Sequence, residues 1–248
     1  SVTIGNGVTK IGAHAFDNNT KMTSLTIGTG VTAIGDSAFY NCTSVQTLNY
    51  NADVIADYTE SSNVFYKIGA ESATQTCSVV IGDNVTNIPA YLFYCAFDMD
   101  GLTTNGITSV VIGDSVTKIG AYAFSCNEKI TSITWGDSIV VIGNNAFTFC
   151  SIGGDLTLPT SVVTIGDAAF GGTPITSVVI GNNVVSIGAS AFALCSLITN
   201  ISIGTGVTSI GDGAFANCVA VETLNYNANV TTDFATDNTC SALKLSSF

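Results

Sequence analysis

Ser24-Leu25-Thr26-Ile27-Gly28-Thr29-Gly30-Val31-Thr32-Ala33-Ile34-Gly35-Asp36-Ser37-Ala38-Phe39-Tyr40-Asn41-Cys42 is the stretch that decides the fold. Its first four residues alternate polar Ser24 and Thr26 with apolar Leu25 and Ile27, the period of a β-strand with one face buried. Gly28 marks a turn. After Val31 and Ile34, the run Gly35 to Cys42 predicts a short helix-like turn in which Ala38 and Cys42, four apart, share a face. Asp36 is placed to cap the free amides of that turn, as are Asp167 and Asp212 in their copies. Alanine lets the backbone approach the sheet, and phenylalanine plugs the interior.

The same pattern recurs along the chain, and internal repeats outrank every other signal in a sequence. Phe16, Phe39, Phe93, Phe124, Phe147, Phe170, Phe192 and Phe215 are spaced 23, 54, 31, 23, 23, 22 and 23 residues apart. The last inward strand residue gives an independent count: Ile4, Ile27, Tyr50, Ile81, Ile112, Trp135, Leu158, Ile180, Ile203 and Tyr226. The 54-residue gap is therefore two rungs, the first without a clean Ala-Phe. Ten strands stacked at ~4.8 Å make a rod roughly 45 Å long. Residues 26–54 and 202–230 match at 21 of 29 positions, a block duplication laid over the short repeat. One rung cannot bury its own apolar pair, but a neighbour on each side can. The expected architecture is a β-rich repeat solenoid over residues 1–248. Its parallel strands line one face and short helical or irregular turns the other, with degenerate or inserted rungs at 51–78 and 94–109.

Composition narrows the function. With 46% hydrophobic and 10% charged residues the chain folds rather than staying disordered. A net charge of −12, carried against six Lys and no Arg, excludes ordinary nucleic-acid binding, which displaces counterions with cations. No apolar stretch approaches the ~18 residues that would insert into a membrane. No secretory leader is read, and the opening Ser1-Val2-Thr3-Ile4-Gly5 is already in mid-pattern, so the chain is expected to be a segment of a longer array.

The repeat resembles the leucine-rich repeats of BspA-like bacterial and protist surface proteins, the Treponema type. That repeat runs Leu-x-x-Leu-x-Leu-Pro-x-x-Leu-x-x-Ile-x-x-x-Ala-Phe-x-x-Cys. Leu156, Leu158, Pro159, Val162, Ile165, Ala169 and Phe170 follow it, as do Ile201, Ile203, Val207, Ile210, Ala214, Phe215 and Cys218. Gly replaces the Pro in most rungs, and Ile or Val replaces most of the Leu. The resemblance implies a leucine-rich-repeat-like right-handed superhelix. It also implies a cell-surface or secreted adhesin that contacts an extracellular or host protein or another cell, and it brings no catalytic residues.

The residues themselves offer little chemistry. His14 is the single histidine, at a position that varies freely, so neither a zinc triad nor a Ser-His pair can be assembled. Six cysteines, Cys42, Cys95, Cys126, Cys150, Cys195 and Cys218, follow the core Phe by two or three residues and read as a ladder of buried thiols. No cofactor is expected. Calcium is the one ion with a candidate place, at Asp83, Asp114 and Asp137, which hold the same turn position on consecutive rungs. The 31-residue strand gaps add eight residues each, within 57–76 and 95–108, and insertions in solenoids often carry the binding face. Tyr58, Glu60, Phe65, Tyr66, Phe97, Asp98 and Asp100 are the candidate partner-binding residues there. The expected function is non-catalytic adhesion or protein recognition. The alternatives are a β-helical polysaccharide-active protein, which needs Asp with Lys or Arg on an outward strand lane, and a structural stalk without a ligand.

Overall fold

A computed structural model of the chain describes residues 1–70, 72, 74–95 and 105–228. The rung strands are Val2–Ile4, Ser24–Ile27, Thr47–Tyr50, Cys77–Ile81, Ile107–Ile112, Ser132–Thr134, Gly154–Thr157, Ile175–Ile180, Asn200–Ile203 and Thr223–Tyr226. Each pairs in parallel with the next, except between the sixth and seventh, where one six-stranded sheet ends and a four-stranded one begins. The break falls where Trp135 occupies the inward position held by Ile, Leu or Tyr elsewhere, its indole edge-on to Phe147 and Phe170. The register stacks like on like: Leu25, Leu48, Val79 and Val110 face inward, and Ser24, Thr47, Ser78 and Ser109 outward. Ten strand passes thus enclose nine turns.

The interior is organised around a column of rings. Phe16, Phe39, Phe65, Phe93, Phe124, Phe147, Phe170, Phe192 and Phe215 stack one per turn, with centroids 5.0 to 5.5 Å apart. Phe65 closes the 54-residue gap: it lies 26 residues after Phe39 and 28 before Phe93, with Val64 in the place of alanine. It is 1% exposed. The sequence-based placement of Phe65 on a docking shelf is therefore corrected, because its ring belongs to the core.

The turn face holds no helix among the described residues. In the second rung Ala38 and Tyr40 donate back three residues, to the carbonyls of Gly35 and Ser37, whereas Ser37, Phe39 and Asn41 donate to Ser62, Val64 and Tyr66 of the next rung. Alternate amides are thus spent on the neighbour, which leaves an α-helix without its own ladder. Two left-handed residues per turn, such as Ser37 (φ 54) and Asn41 (φ 57), rotate the amides outward for this. Asp167 acts differently from the expected helix cap. Asp167 accepts the amide of Ala189 in the following rung at 2.7 Å. Glycine in the Ile-Gly pair serves close approach: a Cβ on Gly188 would lie 2.4 Å from the amide nitrogen of Asp167.

The cysteines occupy two lanes. Cys42, Cys150, Cys195 and Cys218 each donate a thiol to the carbonyl of the preceding rung's Phe, at 3.1 to 3.2 Å. Asn127 fills the same position and donates its amide to Phe93 at 2.7 Å, whereas the third rung puts the buried Ile68 there. Cys95 and Cys126 sit one residue earlier in the turn, in a separate small cluster with Tyr66. Seven cysteines, these six and Cys77, are buried thiols. Burial raises Cys42 and Cys95 to about 11 and Cys77 to about 12. Cys240 lies outside the described residues.

Candidate functional site

The third rung carries the irregularity. Two-residue strands such as Ala33–Ile34 and Asn87–Ile88 line the other rungs, but none forms between Val54 and Val64. Tyr58 packs against the core there, its amide bonded to the Ala90 carbonyl at 3.1 Å, while the Asp57 carboxylate accepts the Ala90 amide at 2.8 Å. The Tyr58 hydroxyl is buried, and that burial raises its pKa far above the ordinary phenol value. Tyr66 is nearly buried and stacks on Tyr40 at 5.3 Å. Of the described partner-binding candidates, Glu60 alone is exposed. Phe97, Asp98 and Asp100, with Glu71, lie outside the described residues.

What the structure brings to Glu60 is a group of tyrosines that the sequence did not single out. Tyr91 and Tyr122 occupy the first left-handed position of adjacent turns, where φ is 59 and 58, so their side chains leave the core and point outward. Their rings stack at 4.8 Å with 12° between planes. Tyr94 stands edge-on to both, at 5.3 and 6.2 Å, and its hydroxyl donates to Glu60 Oε1 at 3.4 Å. Burial first, then the neighbouring Glu60 charge, raises the Tyr94 phenol to about 12, so it remains a donor. All three rings are partly exposed. The available signal was the lane itself: elsewhere it holds His14, Ser37, Asn63, Asn145, Ala168 and Ser190, and only rungs four and five place tyrosines there.

The aspartate ladder has a structural explanation. Asp83 Oδ1 accepts the amide of Asp114 at 3.1 Å, and Asp114 Oδ1 accepts that of Asp137 at 3.3 Å. Asn6 and Asn182 make the same bond to Thr29 and Thr205, both at 3.0 Å, with no charge at all. In these rungs the bond needs a side-chain oxygen and not a charge. Among the described residues no group of three or more His, Cys, Asp or Glu is arranged to hold a metal. His14 lies at the surface, 3.2 Å from Asp17. Asp155 is the one charged residue in the two outward strand lanes, and its carboxylate is held by Ser177 at 2.6 Å. No described helix is long and apolar enough to cross a membrane.

A parallel-stranded repeat solenoid with a cluster of partly exposed rings on its turn face is a scaffold for a surface patch. The chain belongs to the BspA type leucine-rich repeat family, whose repeat region it matches in six copies over residues 1–116 and 117–236. No curated protein matches it. Among solved structures it is similar to a leucine-rich repeat protein from Bacteroides ovatus, with 17% identity, 90% of this chain and 78% of that one covered, and a TM-score of 0.47. It is also similar to a leucine-rich cell surface protein from Faecalibacterium prausnitzii, with 23% identity, 95% and 86% covered, and a TM-score of 0.38. The pneumococcal vaccine antigen PcpA matches with 14% identity, 93% and 67% covered, and a TM-score of 0.43.

Proposed function

We propose that this chain is a non-catalytic adhesion and protein-recognition module of a cell-surface or secreted protein, and that it docks its partner on the turn face through Tyr91, Tyr94, Tyr122 and Glu60. The carrying observation is the ring cluster at Tyr91, Tyr94 and Tyr122, partly exposed on the turn face, where the lane of Tyr91 and Tyr122 holds no other tyrosine. Tyrosines at a packed centre make interface hot spots. The strand face is a weaker anchor. Its lanes repeat Ser, Thr, Asn and Val, so a partner would find several registers of similar energy. Catalysis has little support, since the strand lanes pair no Lys or Arg with Asp155.

The test is an array of extracellular and host-surface proteins probed with the native chain and two variants. Combined Tyr91→Ala, Tyr94→Ala and Tyr122→Ala should weaken capture more than about tenfold. It should leave the fold intact, because the repeat itself holds Ala168 and Ala193 at these two positions. Thr134→Lys with Thr157→Lys should leave capture unchanged. The opposite pattern moves the docking face to the strands, and no capture by any variant favours a stalk.

A further inference from the structure

We propose that the tyrosine patch takes an arginine side chain presented by a protein partner, with the guanidinium lying on the free face of Tyr91 and bonded to the Glu60 carboxylate; this rests on the patch being the docking site. Tyr91 and Tyr122 stack along the rod, so Tyr122 covers one face of Tyr91. On the other side the lane continues to Asn63, which has no ring and turns its amide to the Ser61 carbonyl at 3.3 Å. The second face of Tyr91 therefore looks along the rod into the side occupied by Glu60 and Asn63. Tyr94 takes Oε1 of Glu60 and leaves Oε2 for a ligand. A ring face beside an exposed carboxylate selects a cation, and a planar one fits best, since it can stack and still donate in its plane.

Charge and precedent agree. Of the third rung's two carboxylates here, Glu60 meets the rings and Asp57 is already bonded to the Ala90 amide. The nearby cation is Lys67, whose ammonium rests 5.5 Å over the Tyr66 ring, so the chain satisfies one of its own tyrosines in this way. The chain has no arginine with which to fill the Tyr91 face itself. Its net charge of −12 draws basic segments toward it over longer range.

The probe is a fluorescein-labelled hexa-arginine peptide, titrated by anisotropy into the full chain at about 150 mM salt to suppress distant charge. Tyr91→Ala should weaken binding about tenfold, Glu60→Gln about fivefold, and Tyr91→Phe less than about twofold, since phenylalanine keeps the ring face. Hexa-lysine should bind about threefold or more weakly than hexa-arginine, and a citrulline peptide should not bind. Asp83→Asn with Asp114→Asn tests bulk charge alone and should change nothing. Equal loss in that variant and in Glu60→Gln, or equal binding of hexa-lysine, overturns the arginine assignment. If the peptide ignores Tyr91 while an array partner still depends on it, the ligand class is wrong and the docking site stands. If array capture also ignores Tyr91, the docking site itself is wrong.

Discussion

Phe65→Ala separates a core ring from a docking ring. The side chain is 1% exposed, faces Phe39 at 5.2 Å and Phe93 at 5.0 Å, and meets the edge of Tyr50 at 6.2 Å. Truncating a buried phenylalanine costs about 3–5 kcal/mol, from lost transfer energy and the cavity left behind. The upper half of that range applies, because two stacked neighbours each forfeit ~0.5–1.5 kcal/mol beyond area and cannot collapse while held in their own rungs. For a domain of this size the melting temperature should fall by roughly 8–20 °C. Phe16, only half-buried and with one ring neighbour, Phe39, should cost about half as much when replaced. Urea denaturation of both variants, read beside partner capture, is the assay. Loss of less than about 1 kcal/mol in Phe65→Ala, with partner binding abolished, would refute the core assignment and restore Phe65 to a surface shelf.

Four further outcomes are expected. The seven described thiols should resist alkylation in the native protein at pH 8 and react in denaturant, since burial holds Cys42, Cys95 and Cys77 at about 11 to 12; rapid native labelling of more than one would contradict this. Raised thiol pKa values mean the folded state holds protons that the unfolded chain releases near the ordinary thiol value of 9.0, so stability should be flat below that pH and fall as pH rises from 9 toward 11 and 12. Urea midpoints measured across that window should show the decline, and Cys77→Ala should reduce it. Asp114→Asn should leave the melting temperature within about 1 °C, Asp114→Ala should lower it by about 2 °C, and millimolar calcium should move neither. A calcium-dependent rise lost in Asp114→Asn would show that the ladder binds the ion. Cys150→Ser should cost less than Cys150→Val, because the hydroxyl can still donate to the Phe124 carbonyl that the thiol reaches at 3.2 Å; the reverse order in urea melts would show that volume, not the donor, governs the lane.

The repeat was legible because its signals are local and redundant. Strand alternation at Leu25 and Ile27 and the Phe spacing independently count the same rungs. The turns were misjudged because helical spacing at Ala38 and Cys42 says nothing about amides that bond to the next rung. Phe65 was misplaced because Val64 stands where the motif has alanine and three added residues precede it, so pattern matching skipped the ring that stacking requires. The tyrosine patch was hidden for a different reason. Tyr91 and Tyr122 are 31 residues apart and Glu60 is 31 residues before Tyr91. Only the stacking of rungs three, four and five makes them neighbours. The aspartates of the turn lane looked like a charge cluster until the asparagine copies showed that an uncharged side-chain oxygen makes the same bond.

Hydrogen–deuterium exchange on the chain with and without an array-captured partner tests the central claim most directly. Protection should appear in peptides covering 57–66, 91–95 and 120–126, while the strand lanes through Thr134, Thr157 and Val179 exchange as in the free protein. Protection confined to the strand lanes, with the tyrosine peptides unchanged, would place the partner on the opposite face and contradict the account.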